Sequence, residues 1–180
     1  MKKKIAIFYG TRPEYLKLKN IIKLIPPKKR DVYFIGQHKE LIHKNYFEKK
    51  ISIKKSNNKN RLNSLISQIT NKVNLHDYDS VIIQGDTATT FGVAVVAFNN
   101  RKKIIYVESG LRTFDFDNPF PEEGYRQMIS RISDINLCPT ILSMKNLTSE
   151  KIRGKIFVSG NTSLDNFLIY KKNTKYDDLV

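Results

Sequence analysis

Four carboxylates stand where a short apolar run ends or a helical pattern begins. Asp86 follows the run "SVIIQG", Glu108 ends the run "KKIIYVE", and Glu122 and Glu123 come directly after Pro121. A carboxylate that faces a cleft can donate or accept a proton during a reaction. The same residue types also stabilise helix N-termini through the free N–H groups and the helix dipole. Each acid therefore has both a catalytic and a structural interpretation.

The local sequence favours different interpretations for different residues. Asp86 precedes the apolar pattern "FGVAVVAF", so it either caps that helix or faces a cleft. Glu108 ends a strand that is apolar enough to be central, and because a carboxylate there is poorly solvated, a cleft role is favoured. Arg12 stands before Pro13, which suits the first turn of a helix, and its guanidinium either clamps a phosphate or pairs with a surface acid.

Short β-branched runs alternate with helical patterns along the chain, which predicts an α/β fold. Strands are expected in "KIAIFYG", "DVYFIG", "DSVIIQG", "KKIIYVE", "DINLCP" and "KIFVSG", and helices near residues 13–25, 61–75, 88–99, 122–133, 140–148 and 162–170. Strands this apolar are buried on both faces, as in a parallel sheet covered by crossover helices. The predicted fold is doubly wound, with a mainly parallel, Rossmann-like sheet. We expect one domain over residues 1–170 and a linker or tail over residues 171–180.

Polar clusters follow the predicted strands. In chain order they are "GTRPE", "GQHKE", "GDTATT", "ESGLRTF", "CPT" and "SGNTSLD". Ligands of open α/β sheets bind at the carboxyl ends of the strands, because the loops diverge there and helix N-termini point N–H groups into the crevice. Each cluster alone is also typical of a turn followed by a helix cap. Six clusters on one edge predict a ligand site.

Length and composition narrow the class of protein. The 180 residues suffice for one sizeable core and are marginal for two. No run of about 18 apolar residues is present, and the stretch after Lys4 is too short for a signal peptide, so we expect a cytoplasmic protein without a membrane partner. The single Cys138 excludes an internal disulfide and a cysteine-built metal site, and we expect it in the core at a strand end. No metal and no cofactor are expected.

The net charge of +15 is concentrated near the N-terminus. Residues 1–60 contain 17 Lys and Arg against 4 Asp and Glu, whereas residues 61–180 contain 15 against 13. Most of the excess is lysine on presumed helix faces and in the segment "KKISIKKSNNKNR", which we expect to be a loop and which lacks interleaved aromatic residues. Lysine-rich faces are usually solvated, so no nucleic-acid partner is expected, although the positive field would attract a phosphorylated small molecule.

The motifs resemble a known family, the non-hydrolysing UDP-N-acetylglucosamine 2-epimerases. The resemblance rests on "GTRPE", "GQH", "GDTATT", "VESGLRTFDFDNPFPEEGYR" and "SGNTSLDN", in the family's order and over almost the whole chain. It implies the first half of a two-domain fold like that of B-type glycosyltransferases, with the active site between two Rossmann-like halves. The family's second half, which supplies much of the UDP site and a histidine implicated in catalysis, has no counterpart among these residues.

The resemblance also implies a reaction. In the family, elimination of UDP to a 2-acetamidoglucal is followed by re-addition with the opposite configuration at C2 of the sugar, which needs proton-handling groups and cations for the departing diphosphate. Asp86, Glu108 and Glu122 correspond to the family's essential acids, and Arg12 corresponds to its phosphate-side arginine. Which of the acids acts as the base stays open.

Further site residues follow from helix spacing and, for the effector site, from the same resemblance. Lys17, in the first turns of the predicted helix, is expected to add positive charge on the phosphate side. Arg126 falls four residues after Glu122 and is expected to hold that carboxylate ionised and oriented. In bacterial members the substrate also activates the enzyme from a neighbouring site, for which the candidates are Gln37, His38 and Glu123, the last of these as a structural or effector-site partner.

The chain departs from the family pattern at four positions. Tyr106 replaces a histidine, Ser109 an alanine, Tyr125 an asparagine and Tyr15 a small residue. An asparagine-to-tyrosine change exchanges a compact donor and acceptor for a bulky ring. We expect local rearrangement or reduced activity.

Three functional hypotheses stay open. The chain is half of an epimerase that needs a separate UDP-binding domain, half of a split sugar-nucleotide glycosyltransferase, or a non-catalytic remnant or binding module. Retention of the three acids together with Arg12 favours the first. Because members of the family are usually homodimers, we expect this chain to self-associate. The stretch "FGVAVVAFNN" is apolar nearly all round, which fits a helix shared with a neighbouring subunit. A helix sandwiched within the monomer explains that pattern equally well.

Overall fold

In the part of the chain that the structure describes, a seven-stranded parallel sheet forms the centre. The computed structural model describes residues 4–36, 49–52 and 61–164. Within them the strand order is β3-β2-β1-β4-β5-β6-β7, and every neighbouring pair is parallel. The strands are β1 (Ile5–Tyr9), β2 (Arg30–Gly36), β3 (Lys49–Ser52), β4 (Ser80–Gln84), β5 (Lys103–Val107), β6 (Ile135–Cys138) and β7 (Lys155–Val158). The predicted doubly wound, Rossmann-like fold is confirmed.

Five α-helices that lie wholly within the described ranges connect the strands and cover both faces of the sheet. They are α1 (Arg12–Leu24), α2 (Arg61–Lys72), α3 (Ala88–Asn99), α4 (Glu122–Ile132) and α5 (Ile141–Ser149), with short 3₁₀ turns at Pro27–Lys29 and Leu75–Asp77. Successive residues of β1 enter opposite cores, because side chains alternate across a strand. Ala6 and Phe8 pack on the side of α2, α3 and α4, whereas Ile7 and Tyr9 pack on the side of α1. Burial on both faces explains why the central strands are continuous apolar runs.

Strand β3 corrects the prediction that "KKISIKKSNNKNR" is entirely loop. Lys49–Ser52 pairs with β2 at the edge of the sheet, with Tyr33 opposite Lys49. Short, lysine-bearing edge strands are common because charge there discourages further pairing. The sequence of this strand, KKIS, contains one apolar residue, Ile51, which is buried in the core, so it carries almost no apolar signal. Lys49 is instead held by its ammonium group, which lies 3.0 Å from Asp31 Oδ2.

Helix α3 is enclosed within the monomer. It packs against α2, α4 and the strands β1, β4 and β5, and its buried residues include Val93, Ala94, Val96 and Ala97. This is the sandwiched alternative for the apolar pattern "FGVAVVAFNN". The pattern therefore gives no support of its own to self-association.

The remaining expectations concern single positions and the C-terminus. Cys138 is fully buried as the last residue of β6, as predicted, and burial raises the pKa of its thiol to about 11. The helix predicted over residues 162–170 is described only as far as Leu164, and the tail over 171–180 lies outside the described residues. Among the helices of the described ranges, none combines the length and the apolar character that a membrane span needs.

Candidate functional site

A cavity of about 260 Å³ lies where the strand order reverses. Strands β1 and β4 are neighbours, and the chain leaves them toward helices on opposite faces, so a crevice opens at their carboxyl ends. The capped N-termini of α1 and α3 border this crevice, and such termini favour anions. The cavity is lined by Thr11, Pro13, Glu14, Lys17, Gln84, Gly85, Asp86, Thr87, Tyr106, Glu108, Leu111 and Arg126.

Glu108 is held in this cavity by a cation and an amide. It is the first residue after β5, and its backbone has a φ of +64°. Lys17 of α1 places its Nζ 2.5 Å from Oε2 of Glu108, and the side-chain amide of Gln84 donates to the same oxygen. The Glu108 side chain is 14% exposed to solvent. The structure pairs Lys17 with a carboxylate, and its expected position on the phosphate side stays a prediction.

Asp86 is held by a second cation. Arg126 of α4 donates from Nε to Oδ2 of Asp86 at 2.7 Å. Asp86 does not cap α3, because the cap is Thr87, whose hydroxyl accepts from the Thr90 amide at 3.2 Å. The structural interpretation of Asp86 as a helix cap is therefore wrong. Its carboxylate lies with Arg126 in the cavity wall.

Glu14 is a cavity residue that the sequence analysis missed. Its carboxylate accepts hydrogen bonds from the Gly10 and Thr11 amides at 2.5 and 3.1 Å, and from the Thr87 hydroxyl at 2.8 Å. Burial raises the pKa of the Glu14 carboxyl, and these hydrogen bonds only partly oppose that shift. Thr11 and Glu14 form a capping box at the start of α1. The spacing T-x-x-E in "TRPE" was the available signal.

Glu122 and Glu123 have different environments. Glu123 is fully buried, and its carboxylate accepts from Arg126 at 3.0 Å and from Gln127 at 2.9 Å, as well as from the amides of the 113–114 backbone. Glu122 is partly exposed and does not line the cavity, and its side chain makes no hydrogen bond or ion pair within the described part of the chain. The expected pair between Arg126 and Glu122 is therefore replaced by a pair with Glu123.

The pairing of Arg126 with Glu123 instead of Glu122 has a geometric reason. Three-residue and four-residue spacings both place side chains on one helix face, and the loop before α4 supplies backbone donors to Glu123 rather than to Glu122. Burial alone would raise the pKa of the Glu123 carboxyl, but the hydrogen bonds from Gln127 and from the 113–114 amides outweigh it and hold that pKa below its usual value. Donors from the protein thus enclose the Glu123 carboxylate, and its role, structural or in an effector site, stays a prediction.

The other candidates lie beside the cavity or outside the described residues. Arg12 is exposed as the first residue of α1, next to the lining residues Thr11 and Pro13. Gln37 and His38 fall outside the described residues. Over residues 4–36, 49–52 and 61–164, no group of three or more His, Cys, Asp or Glu residues is arranged to hold a metal ion.

All four departures from the family pattern have defined contacts, and the Tyr15 ring lies beside that of Tyr9 with centroids 5.3 Å apart. Tyr106 is buried, and its hydroxyl donates to the Gly85 carbonyl at 3.0 Å, just before Asp86. Tyr125 stacks on Phe91 with ring centroids 4.7 Å apart. Ser109 is buried and donates to the Asn136 side chain at 2.7 Å. These rings and hydroxyls are accommodated by packing and hydrogen bonding around the cavity.

The site combines proton-handling groups with positive charge. Two carboxylates, Asp86 and Glu108, each face a cation from a different helix, and two helix N-termini adjoin them. Such an arrangement can bind an anion while a carboxylate exchanges a proton with a bound substrate.

Comparison with known proteins identifies the relatives of this chain. The sequence model of the family described as UDP-N-acetylglucosamine 2-epimerase matches residues 32–179. The chain is 34% identical to a UDP-N-acetylglucosamine 2-epimerase of Campylobacter jejuni, over 98% of this chain and 49% of the relative. It is also 34% identical to one of Bacillus subtilis, over 92% of this chain and 47% of the relative. The chain thus spans about half the length of the curated relatives it matches.

Solved structures of the same family also match this chain over about half of their own length. A UDP-GlcNAc 2-epimerase from Neisseria meningitidis bound to UDP-GlcNAc superposes with a TM-score of 0.85 at 30% identity, covering 98% of this chain and 51% of that one. A Methanocaldococcus jannaschii enzyme in complex with UDP-GlcNAc and UDP has a TM-score of 0.77 at 31% identity, covering 94% and 51%.

Proposed function

The chain belongs to the UDP-N-acetylglucosamine 2-epimerase family, and we propose that it forms the N-terminal half of an enzyme that interconverts UDP-GlcNAc and UDP-ManNAc. The observation that carries the proposal is the pairing of Asp86 with Arg126 and of Glu108 with Lys17 in one cavity. The relatives that bind UDP-GlcNAc support a UDP-sugar as the substrate.

The proposed reaction uses the acids to move a proton at C2 of the sugar. A carboxylate removes the C2 proton, the electron pair of that C–H bond forms a C1–C2 double bond, and the C1–O bond breaks so that UDP leaves as the diphosphate anion. The reverse steps return a proton to the opposite face of C2 and rejoin the diphosphate oxygen to C1. Cations near the leaving group stabilise the charge that develops on it.

We assign the residues to these roles as follows. Asp86, Glu108 and Glu122 are the proposed catalytic acids, and Glu122 retains a carboxylate without a partner in the described part of the chain. Arg12, at the start of α1, is the proposed ligand of the diphosphate. Positive charge at the carboxylates comes from Lys17 and Arg126.

Turnover is proposed to need a C-terminal UDP-binding half, supplied by the same or a separate polypeptide. The relatives are about twice as long as this chain, and effective positioning of a substrate requires both walls of its cleft. Homodimer formation, expected from the family, is part of the same proposal.

The test is reconstitution. The 180-residue chain is mixed or co-expressed with C-terminal halves of the Campylobacter jejuni and Bacillus subtilis relatives, and the gluco and manno products are quantified by proton NMR. We expect no turnover by the chain alone and turnover with a complementary half. The matched control, the Asp86→Asn chain with the same half, should be slower by on the order of a hundredfold.

Each alternative outcome has a defined meaning. Turnover by the isolated chain would refute the need for a second half. Failure with several folded halves would favour the non-catalytic binding module. Transfer of the sugar to an acceptor without epimerisation would favour the split glycosyltransferase.

A further inference from the structure

Gln84 is a buried polar residue at the end of an otherwise apolar strand. It is the last residue of β4, is 2% exposed, and follows the buried residues Val81, Ile82 and Ile83. Its backbone carbonyl accepts from the Thr90 hydroxyl at 2.9 Å, which fixes the main chain without any help from the side chain. The amide side chain must therefore have another reason to be in the cavity wall.

The amide group of Gln84 is committed to Glu108. Its Nε2 donates to Oε2 of Glu108, the same oxygen that lies 2.5 Å from Lys17 Nζ. Within the described residues, Oε1 of Glu108 accepts no hydrogen bond from the protein. Two donors therefore converge on one oxygen of the carboxylate and leave the other free.

The orientation of the Gln84 amide is dictated by this contact. If the amide were reversed, its oxygen would oppose the Glu108 carboxylate, and two acceptors would repel each other. In the observed orientation, Oε1 of Gln84 is buried without a hydrogen-bond partner. Buried acceptors are nearly always paired, so an unpaired one indicates that the donor contact outweighs the loss.

The backbone of Glu108 reinforces the same geometry. Its φ of +64° is uncommon for a residue with a side chain, and such conformations persist where the surrounding structure determines them. Backbone, amide and ammonium together leave Glu108 little freedom.

We propose that Gln84 is a positioning residue that fixes Glu108 so that its free Oε1 exchanges the proton with the substrate. The inference rests on the proposed function for the identity of that proton. The orientation of the carboxylate itself does not depend on the proposed function and can be tested separately.

The first experiment is structural and needs no activity. Crystal structures of the chain with Gln84→Met, which keeps the side-chain length and removes the donor, are compared with the wild type and with Gln68→Met on α2, away from the cavity. We expect Glu108 to turn from the observed position only in Gln84→Met. If that variant fails to fold by thermal melting, Gln84→Leu replaces it. An unchanged Glu108 carboxylate would overturn the inference.

The second experiment measures kinetics in the reconstituted enzyme. Misplacing a catalytic group lowers kcat, whereas loss of ground-state binding raises KM. We expect Gln84→Met to lower kcat about tenfold or more with KM nearly unchanged, and Gln84→His, which keeps an N–H donor, to recover part of the rate. Equal kcat in Gln84→Met and wild type would overturn the inference. An inactive wild-type complex would count against the proposed function instead, and the crystal structures would still decide the role of Gln84.

Discussion

Replacing Glu123 by glutamine should destabilise the fold strongly, although the change is isosteric. Oε2 of Glu123 accepts from the Thr113 amide and from Arg126, and Oε1 accepts from the Phe114 amide and from Gln127. Whichever oxygen becomes an NH₂ group, two donors lose their acceptor. Hydrogen bonds to a charged group contribute about 1.5–3 kcal/mol each, and removing one partner of a buried ion pair costs about 3–5 kcal/mol. Because Arg126 keeps Asp86 as a partner, we expect the free energy of unfolding to fall by about 3 kcal/mol, the lower end of that range.

The assay is urea unfolding of the 180-residue chain at pH 7, followed by circular dichroism. The matched control is Glu122→Gln, which changes the neighbouring acid that has no partner in the described part of the chain. We expect the control to change the free energy of unfolding by less than about 0.5 kcal/mol, as is usual for surface substitutions. Equal unfolding free energies for the two variants would refute the assignment of Glu123 as the structural acid.

The remaining predictions concern pH, a second ion pair, a turn and association. The pKa of Glu123 is lower in the folded state than in the unfolded state. The carboxylate therefore stabilises the fold fully above its unfolded pKa of about 4.3, and this stabilisation is lost as the pH falls through the folded pKa. The difference in unfolding free energy between wild type and Glu123→Gln should accordingly disappear in acid. Glu150→Gln should cost about 3 kcal/mol in urea unfolding, because it leaves the fully buried Arg112 guanidinium without the carboxylate that it contacts at 2.6 and 2.9 Å; a loss below about 1 kcal/mol would contradict this. Gly85→Ala should lower the free energy of unfolding by about 1–2 kcal/mol because of the φ of +86° at that position. Gly110→Ala should lower it further, because the added Cβ would also lie 2.3 Å from the Ser143 carbonyl oxygen. A larger loss for Gly85→Ala than for Gly110→Ala would contradict this reasoning. Light scattering at micromolar concentration should find a dimer of this chain, and a strict monomer across that range would remove the homodimer from the proposal.

The alternation of strands and helices made most of the fold predictable. Runs such as "SVIIQ" are apolar because both faces of the sheet are covered, and that demand is visible in the sequence alone. Strand β3 was missed because an edge strand with two lysines, Lys49 and Lys50, needs little apolar character. Its stability comes from pairing with β2 and from the contact between Lys49 and Asp31, neither of which is local in sequence.

The candidate site was predictable in position but not in pairing. Clusters after β1, β4 and β5 were expected at one edge, and the structure brings Lys17, Asp86, Glu108 and Arg126 to one cavity there. The partner of each acid depends on loop conformation and strand order, so the pairs between Lys17 and Glu108, 91 residues apart, and between Asp86 and Arg126, 40 residues apart, had no local signal. Gln84 was missed because its inferred role depends on the contact of its amide group with Glu108, which the sequence does not show.

Transfer of solvent deuterium to the sugar tests the central claim most directly, namely that carboxylates of this chain move the C2 proton. The chain, reconstituted with a C-terminal half, is incubated with UDP-GlcNAc in deuterium oxide, and C2 deuteration of both UDP-sugars is followed by NMR for wild type and for Glu108→Gln. We predict deuterium at C2 with the wild-type chain and incorporation slower by on the order of a hundredfold or more with Glu108→Gln, as for removal of a general acid or base. Epimerisation without deuterium at C2, or equal incorporation by the Glu108→Gln chain, would contradict the account.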